Sequence, residues 1–174
     1  MRLHQIRIDY HQEQDRLLLR ISTDDGCELR FWLTRRFVKS LWPTLMKMAE
    51  TVGEARAHHD PTVRKAMLEF EHDKAVRQAD FATPYKAQAT NLPLGAEPLL
   101  VTRLRGEPDG QGSAVLALHP AQGQGMDLAM DAMLLHSFTR LLQGAVAKTD
   151  WDIRVDLPRA TMPAMDAAAG SKPN

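Results

Sequence analysis

The chain contains few of the features that tie a protein to an oxidising compartment or to a membrane. Cys27 is the only cysteine among 174 residues, which excludes an intrachain disulfide. No apolar run approaches the roughly 20 residues that span a bilayer. The first residues, MRLHQIRIDYHQ, also lack the apolar stretch of a secretory signal. We therefore expect a cytoplasmic protein.

The chain also lacks an excess of either charge. Its 22 Lys and Arg residues balance 22 Asp and Glu residues, and the pI is about 7.1. Proteins dedicated to nucleic-acid binding usually carry a basic excess, because neutralisation of phosphates supplies much of their affinity. The hydrophobic content of 44% and the charged content of 25% are those of an ordinary globular protein. These values favour one folded domain and leave room only for a local basic patch.

The N-terminal segment predicts a three-stranded antiparallel meander. Residues 4–10, 16–22 and 27–33 each alternate between apolar and polar side chains, which is the period of a half-buried strand. The TDDG sequence at 23–26 is typical of a tight hairpin turn. The predicted inward positions are Ile6, Ile8, Tyr10, Leu17, Leu19, Ile21, Cys27, Leu29, Phe31 and Leu33.

Two helices are predicted to follow the meander. Thr34 is the expected N-cap of the first, whose apolar residues recur every three or four positions to about Arg56. Pro43 implies either a kink or a fresh start capped by Ser40. Asp60 is the expected N-cap of the second helix, with Pro61 as its first residue and an end near Ala79. Its predicted inward face consists of Val63, Ala66, Met67 and Phe70.

The second half predicts a long loop and further strands around one long helix. Residues 80–97 show no clear period, PLLVTRLR and SAVLALH form two strands, and the long helix covers Met126 to about Ala147. WDIRVDL at 151–157 is the expected closing strand. The predicted fold is α+β in the order βββαα, loop, ββαβ. It has one antiparallel sheet of about six strands, packed on the long helix and on a second amphipathic helix.

The domain boundaries follow from where these patterns stop. We predict a single domain over residues 1–157. Residues 158–174 have no core pattern and are expected to form a disordered tail.

Motifs for catalysis or cofactor binding are missing. The sequence contains no HExxH, CxxC, phosphate-binding P-loop or GxGxxG motif. The residues available for a small enzyme of unknown reaction are Cys27 as nucleophile and His119 or His136 as base. A catalytic site would require two of them to converge in one pocket. We predict no catalytic residues, no metal site and no cofactor.

The stretch CELRFWLTRRFVKSLWP, Cys27 to Pro43, suggests a contact surface. It combines two of the three tryptophans with several cations, and Trp and Arg are enriched at the energetic centres of protein interfaces. The favoured hypothesis is a non-enzymatic binding or regulatory protein, predicted to be a homodimer. The predicted partner-binding residues are Arg30, Trp32, Arg35, Arg36, Lys39 and Trp42.

The first alternative is a single-stranded nucleic-acid-binding domain. Guanidinium groups and an aromatic ring on one sheet face can bind phosphates and stack on bases. The residues of this alternative are Arg7, Arg16, Arg20, Arg30 and Trp32. The small enzyme is the second alternative. The sequence leaves open whether the 80–97 loop or another chain covers Trp32.

Overall fold

The computed structural model describes residues 2–86 and 90–159. Across these residues the fold is α+β, with three α-helices and two mostly antiparallel sheets. The strands are β1 (Leu3–His11), β2 (Arg16–Thr23), β3 (Glu28–Thr34), β4 (Leu99–Leu100), β5 (Arg103–Pro108), β6 (Ala114–His119) and β7 (Met126–Met130). The helices are α1 (Arg35–Ala49), α2 (Pro61–Gln78) and α3 (Ala132–Val146), with a 3-10 turn at Ala55–Ala57. The expected disordered tail lies almost entirely outside the described residues.

The expectation of a single sheet of about six strands was wrong. The first sheet has the order β1-β2-β3-β4, and the second has the order β5-β6-β7. PLLVTRLR does not form one strand, because the chain passes from one sheet to the other within it. The Val101 amide donates to the Trp32 carbonyl at 3.1 Å, whereas the Thr102 amide donates to the His119 carbonyl at 3.0 Å. Two neighbouring amides thus join the two sheets.

The predicted meander is confirmed. β1, β2 and β3 pair in antiparallel register, with Ile8 opposite Leu19 and Leu19 opposite Phe31. Leu17, Leu19, Phe31 and Leu33 are completely buried, while Ile6 and Tyr10 at the edge of the sheet are half-buried. Strand β4 is short and parallel to β3, and it extends the sheet beyond the three predicted strands.

Helix α1 is continuous through Pro43, which rules out a fresh start capped by Ser40. The Phe37 amide donates to the Thr34 hydroxyl at 3.1 Å, which confirms the predicted N-cap. The helix ends at Ala49, short of the predicted Arg56, and the chain then turns through Gly53 at φ +62°. The Asp60 cap and the Pro61 start of α2 are also as predicted.

The predicted long helix begins later than its periodicity suggested. Met126–Met130 is strand β7, paired antiparallel with β6, and α3 starts only after Asp131. The Asp131 carboxylate accepts the Leu134 amide at 2.8 Å and so caps the helix. The apolar residues of MDLAM fit both the helical period and the two-residue period of a strand. Pairing with β6 therefore decides that this segment is a strand.

The predicted closing strand at 151–157 is not a strand. Trp151 is buried, Ile153 and Val155 are half-buried, and the residues between them are exposed, so the expected alternation is present. The segment lies against α3, where the Gln143 side-chain amide donates to the Val155 carbonyl at 2.7 Å. The alternation therefore reflects one-sided burial without a strand partner.

A glycine sets the distance between α1 and the second sheet. A Cβ atom added to Gly106 of β5 would lie 2.6 Å from both the Met48 sulfur and the Thr44 methyl of α1. Both side chains stand on the helix that packs on this strand. Close approach of α1 to β5 therefore depends on the missing side chain.

We expect Gly106→Val to lower the free energy of unfolding by about 1–3 kcal/mol, because the added methyl groups overpack this contact. Gly144→Ala is the matched control, since an added Cβ there meets nothing within 4 Å. In the α3 interior it should raise stability by up to about 1 kcal/mol. Urea denaturation measures both variants, and unchanged stability of Gly106→Val would contradict the packing argument.

Candidate protein-interaction surface

The outward face of the first sheet carries a short apolar row, formed by Leu18, Trp32 and Leu100. These three residues lie directly opposite one another on β2, β3 and β4. Leu18 and Trp32 are half-buried, and the Leu100 side chain is 39% exposed. Side chains opposite one another in a sheet point to the same face. The row is therefore an apolar strip on a side of the sheet that the core does not occupy.

Trp32 also borders a concave region beside the β1–β2 hairpin. The His11 ring meets the Trp32 ring edge-on, with centroids 5.1 Å apart. A cavity of about 520 Å³ lies between Trp32, Leu18 and the hairpin turn. The indole thus contacts a histidine of the same chain, and both rings line an open cavity.

The 80–97 loop contacts a different part of this face. The Tyr85 hydroxyl donates to the Glu28 carboxylate at 2.7 Å, and the Arg30 guanidinium donates to the Ala96 carbonyl at 3.1 Å. Arg20 stacks over the Tyr85 ring at 4.9 Å. The described part of the loop therefore contacts the Glu28 end of the sheet, and no hydrogen bond or ring contact joins it to Leu18 or Trp32.

The predicted partner-binding residues separate into three groups. Trp42 is only 8% exposed and belongs to the core, so it contributes nothing to a surface. Arg30 is engaged within the chain by Glu28 at 2.6 Å. Arg35, Arg36 and Lys39 are exposed, and no hydrogen bond or ion pair joins their side chains to another described residue. These three cations and Trp32 are what remains available to a partner.

The arginines of the nucleic-acid alternative are largely occupied by carboxylates. Arg7 and Arg20 both donate to Asp9 at 2.7 Å. Burial raises the pKa of Asp9, but the hydrogen bonds and charges of the two arginines outweigh it and hold the pKa below its usual value. Arg30 is similarly paired with Glu28, which leaves Arg16 as the arginine of this set without a described partner. The face therefore presents much less free positive charge than its sequence suggested.

Glu28 is a buried carboxylate with two partners. It is 1% exposed, and it accepts hydrogen bonds from Arg30 and Tyr85. Burial raises the pKa of Glu28, yet these two hydrogen bonds and the arginine charges bring it below the ordinary value. Burial and the bond to Glu28 in turn raise the pKa of Tyr85. Glu28 is thus ionised and fully engaged at neutral pH.

Helix α2 buries a different face from the predicted one, although Met67 of the predicted face does pack against the core. Val63 is 41% exposed and Phe70 is 60% exposed, although both belong to the predicted inward face. Leu68, His72 and Ala75 are buried instead, on the side that contacts α3. The sequence signal that could have shown this is that Leu68, His72 and Ala75 recur at the helical spacings of four and three residues, with an apolar residue at each end.

A buried polar cluster lies between α2 and α3, and sequence analysis did not identify it. The rings of His72 and His136 meet edge-on with centroids 5.5 Å apart, and the His136 Nε2 atom lies 3.9 Å from a Glu71 carboxylate oxygen. His72 is 6% exposed and His136 is 1% exposed. Both nitrogens of His136 lack a hydrogen-bond partner among the described residues.

Burial governs the protonation of this cluster. It lowers the pKa of His136 to about 4, with the charge of His72 adding to the effect, and it also lowers the pKa of His72. Burial raises the pKa of Glu71. Neutral imidazoles are therefore the stable forms at neutral pH.

The catalytic candidates do not converge. The Cys27 sulfur accepts from the Asn91 amide at 3.5 Å, and no hydrogen bond joins it to a histidine of the described part of the chain. His119 pairs with Asp127 at 2.7 Å on the second sheet, whereas His136 is buried against α2. Among residues 2–86 and 90–159, no group of three or more His, Cys, Asp or Glu side chains has an arrangement that could hold a metal ion.

We expect Tyr85→Phe to lower the free energy of unfolding by about 2 kcal/mol, because Glu28 would remain buried with one partner fewer. Tyr10→Phe is the matched control, since the Tyr10 hydroxyl makes an exposed bond to Asp15 at 3.1 Å. Urea denaturation measures stability, and limited proteolysis measures loosening of the 80–97 loop. Equal losses in the two variants would contradict a special role for the Glu28 contact.

We expect stability to fall as the pH decreases from about 6.5 towards 4. The folded-state pKa of His136 is about 4, below that of an unfolded histidine near 6.5, so the unfolded chain binds more protons in this window. The raised pKa of Glu71 acts in the opposite direction, because its folded form takes up a proton first.

The variant His136→Leu isolates the histidine contribution. It should remove a pH-dependent loss on the order of 3 kcal/mol from that window. His59→Gln, which replaces an exposed histidine, is the control. Urea unfolding at a series of pH values gives the slopes, and a wild-type slope in His136→Leu would refute this account.

No described helix has the length and apolar character needed to cross a membrane. No protein-family model, curated protein or solved structure shows significant similarity to this chain.

Proposed function

We propose that this chain is a non-enzymatic binding or regulatory protein that acts through protein–protein association and forms a homodimer. The observation that supports association with a partner protein is the Trp32 patch, defined as the apolar row Leu18, Trp32 and Leu100 with the exposed cations Arg35, Arg36 and Lys39 that follow it in α1. An aromatic anchor among apolar neighbours, next to unpaired cations, is the composition typical of interface centres. The single buried cysteine suits the cytoplasm, where we propose that the protein acts.

The cations of the patch are not explained by helix stability. Arg35 and Arg36 occupy the first turn of α1, which contains no acidic residue. The positive end of the helix dipole disfavours cations there, at a cost of a few tenths of a kcal/mol or more each. A ligand that brings negative charge to this turn would relieve the repulsion. This supports binding of an anionic partner.

The charge of the patch also bears on which partner it fits. A two-fold axis through the patch would place Arg35, Arg36 and Lys39 against the same three cations of a second copy. Like charges at close range disfavour such a contact. A different protein with an acidic segment and an apolar anchor satisfies both the cations and Trp32. We therefore assign the Trp32 patch to an acidic protein partner and the homodimer contact to another surface.

The nucleic-acid alternative is less well supported. Arg7, Arg20 and Arg30 are paired with Asp9 and Glu28, so a phosphate backbone would have to compete with carboxylates already in place. Trp32 is the one tryptophan of the chain outside the buried core, and a single ring is a small stacking platform.

The double variant Trp32→Ala/Arg36→Ala should weaken binding of an acidic partner about tenfold or more without unfolding the chain. The probe is a fluorescein-labelled synthetic peptide of Asp and Glu residues with one central Phe. Fluorescence anisotropy should give binding to the wild type that weakens with salt, and a loss of about tenfold or more in the variant. Phe70→Ala/Arg77→Ala, which removes an exposed aromatic and a cation from α2, is the matched control.

A labelled single-stranded oligonucleotide is titrated alongside the peptide at low and high salt. Preference for the oligonucleotide with a steep salt dependence would support the nucleic-acid alternative instead. Absence of any binding to the peptide at low salt would count against an acidic partner at the Trp32 patch.

A further inference from the structure

The outer edge of β1 is the longer of the two edges of the first sheet. β1 is nine residues long and has β2 as its only strand neighbour in the described sheet. No backbone hydrogen bond from another described segment reaches residues 3–11 on the side away from β2. An edge of this length presents unpaired amides and carbonyls, and such an edge is a template for adding another strand.

A groove of about 460 Å³ runs beside this edge. Strand β1 forms one wall, the segment 79–85 forms another, and α3 contributes apolar side chains. Phe81 stands on the rim and is 43% exposed. The apolar lining residues that matter here are Ile6, Ile8, Phe81, Leu134 and Leu141. The groove thus offers both backbone groups and apolar contacts to an extended segment.

We propose that the occupant is β1 of a second copy, paired antiparallel across a two-fold axis. This inference rests on the self-association included in the proposed function, and it names the surface responsible. A second copy fits because Arg7 and Asp9, which already pair with each other within the chain, can each also meet the opposite charge of the other copy in one particular register.

The register follows from the two faces of the strand. A two-fold axis perpendicular to the sheet keeps outward side chains opposite outward side chains. The residue at the centre of the pairing must therefore lie opposite the same residue of the second copy, with the axis midway between the two. Centring the pair on Arg7 places Arg7 against Arg7 of the second copy. Centring it on Asp9 places two aspartates together. Centring it on Ile8 places Arg7 opposite Asp9 of the second copy, twice per dimer.

The inward face agrees with the same register. Ile8 then lies opposite Ile8 of the second copy, and Ile6 lies opposite Tyr10. Both Ile6 and Tyr10 are half-buried in the single chain, as are Leu134 and Leu141 of α3 beneath the groove. Registers centred nearer the N-terminus meet the segment that already contacts Gln5, whose side chain bonds the Pro84 carbonyl and the Lys86 amide. Among the described residues, no hydrogen bond joins residues 6–11 of β1 to this segment.

This pairing joins two copies of the four-stranded sheet into one continuous sheet. Trp32 lies two strands away from the new contact and remains on the outward face. Each dimer would therefore present two Trp32 patches on one sheet surface, and dimerisation would leave both available to acidic partners.

Charge reversal in separate chains tests this register. In Arg7→Glu, the new glutamate faces Asp9 of the second copy twice. In Asp9→Lys, the new lysine faces Arg7 twice. Each variant alone should dimerise about tenfold or more weakly than the wild type.

An equimolar mixture of Arg7→Glu and Asp9→Lys should recover wild-type affinity. In the mixed dimer the introduced glutamate of one chain faces the introduced lysine of the other, and the remaining Asp9 faces the remaining Arg7. Sedimentation equilibrium measures the wild type, both variants and the mixture, and circular dichroism checks folding.

Hydrogen exchange of the wild type provides a measurement that needs no variant. Raising the protein concentration should protect alternate amides of β1, those directed away from β2, while the amides of the short β4 edge stay unchanged. This separates strand pairing from instability of Asp9→Lys, which removes the partner of both Arg7 and Arg20.

The outcomes are distinguishable. Weakening in both variants with recovery in the mixture, or the alternate protection of β1, supports the pairing. Wild-type self-association that neither reversal alters, with unchanged β1 exchange, overturns β1 pairing but leaves the proposed homodimer standing. A wild-type protein that remains monomeric at high concentration overturns β1 pairing and the homodimer together, whereas peptide binding at Trp32 is decided by its own titration.

Discussion

Complete burial of one face of the β2–β3 pair is the constraint on which the rest of the structure depends. Leu17, Leu19, Phe31 and Leu33 have no exposed surface. Because side chains alternate along a strand, burying these positions directs Trp32 outward. The same constraint sets Arg20, Arg30 and Glu28 on the outer face. The candidate surface is thus a geometric consequence of the core, and the 80–97 loop and β4 then determine how much of it stays open.

Two buried polar groups of the chain, Glu28 and His136, differ in how the cost of their burial is reduced. Glu28 is ionised but receives hydrogen bonds from Arg30 and Tyr85, so its burial is compensated. His136 is buried without a hydrogen-bond partner among the described residues, and it stays neutral instead. The first solution anchors a long loop to the sheet. The second makes the α2–α3 contact sensitive to acid, because the energy of a buried imidazole depends on whether it carries a proton.

Much of the local structure could be predicted, and the failures share a cause. Short stretches of sequence were enough to predict the meander, the Thr34 and Asp60 caps and the α+β class. Each depends on the spacing of apolar residues or on a cap residue within a few positions of the element. The inward face of α2 was predicted only in part: Met67 packs against the core, but Val63 and Phe70 are exposed, and Leu68 and Ala75 are buried instead. The candidate site was only partly predictable for the same reason: pairing of Arg30 and burial of Trp42 depend on residues distant in the chain.

The sequence by itself determined where the first three strands and the first two helices begin, which face of the first sheet is buried, and hence that Trp32 points away from the core. Tertiary structure alone decided that the strands divide into two sheets at Val101 and Thr102, that α2 buries His72 against His136, and that the β1 edge remains open. The alternation of side chains along a strand and the capping of a helix depend on residues that are close together in the sequence, so a short stretch of sequence is enough to predict them. Strand partners and helix orientation depend on which surfaces meet, and several arrangements satisfy the same local pattern.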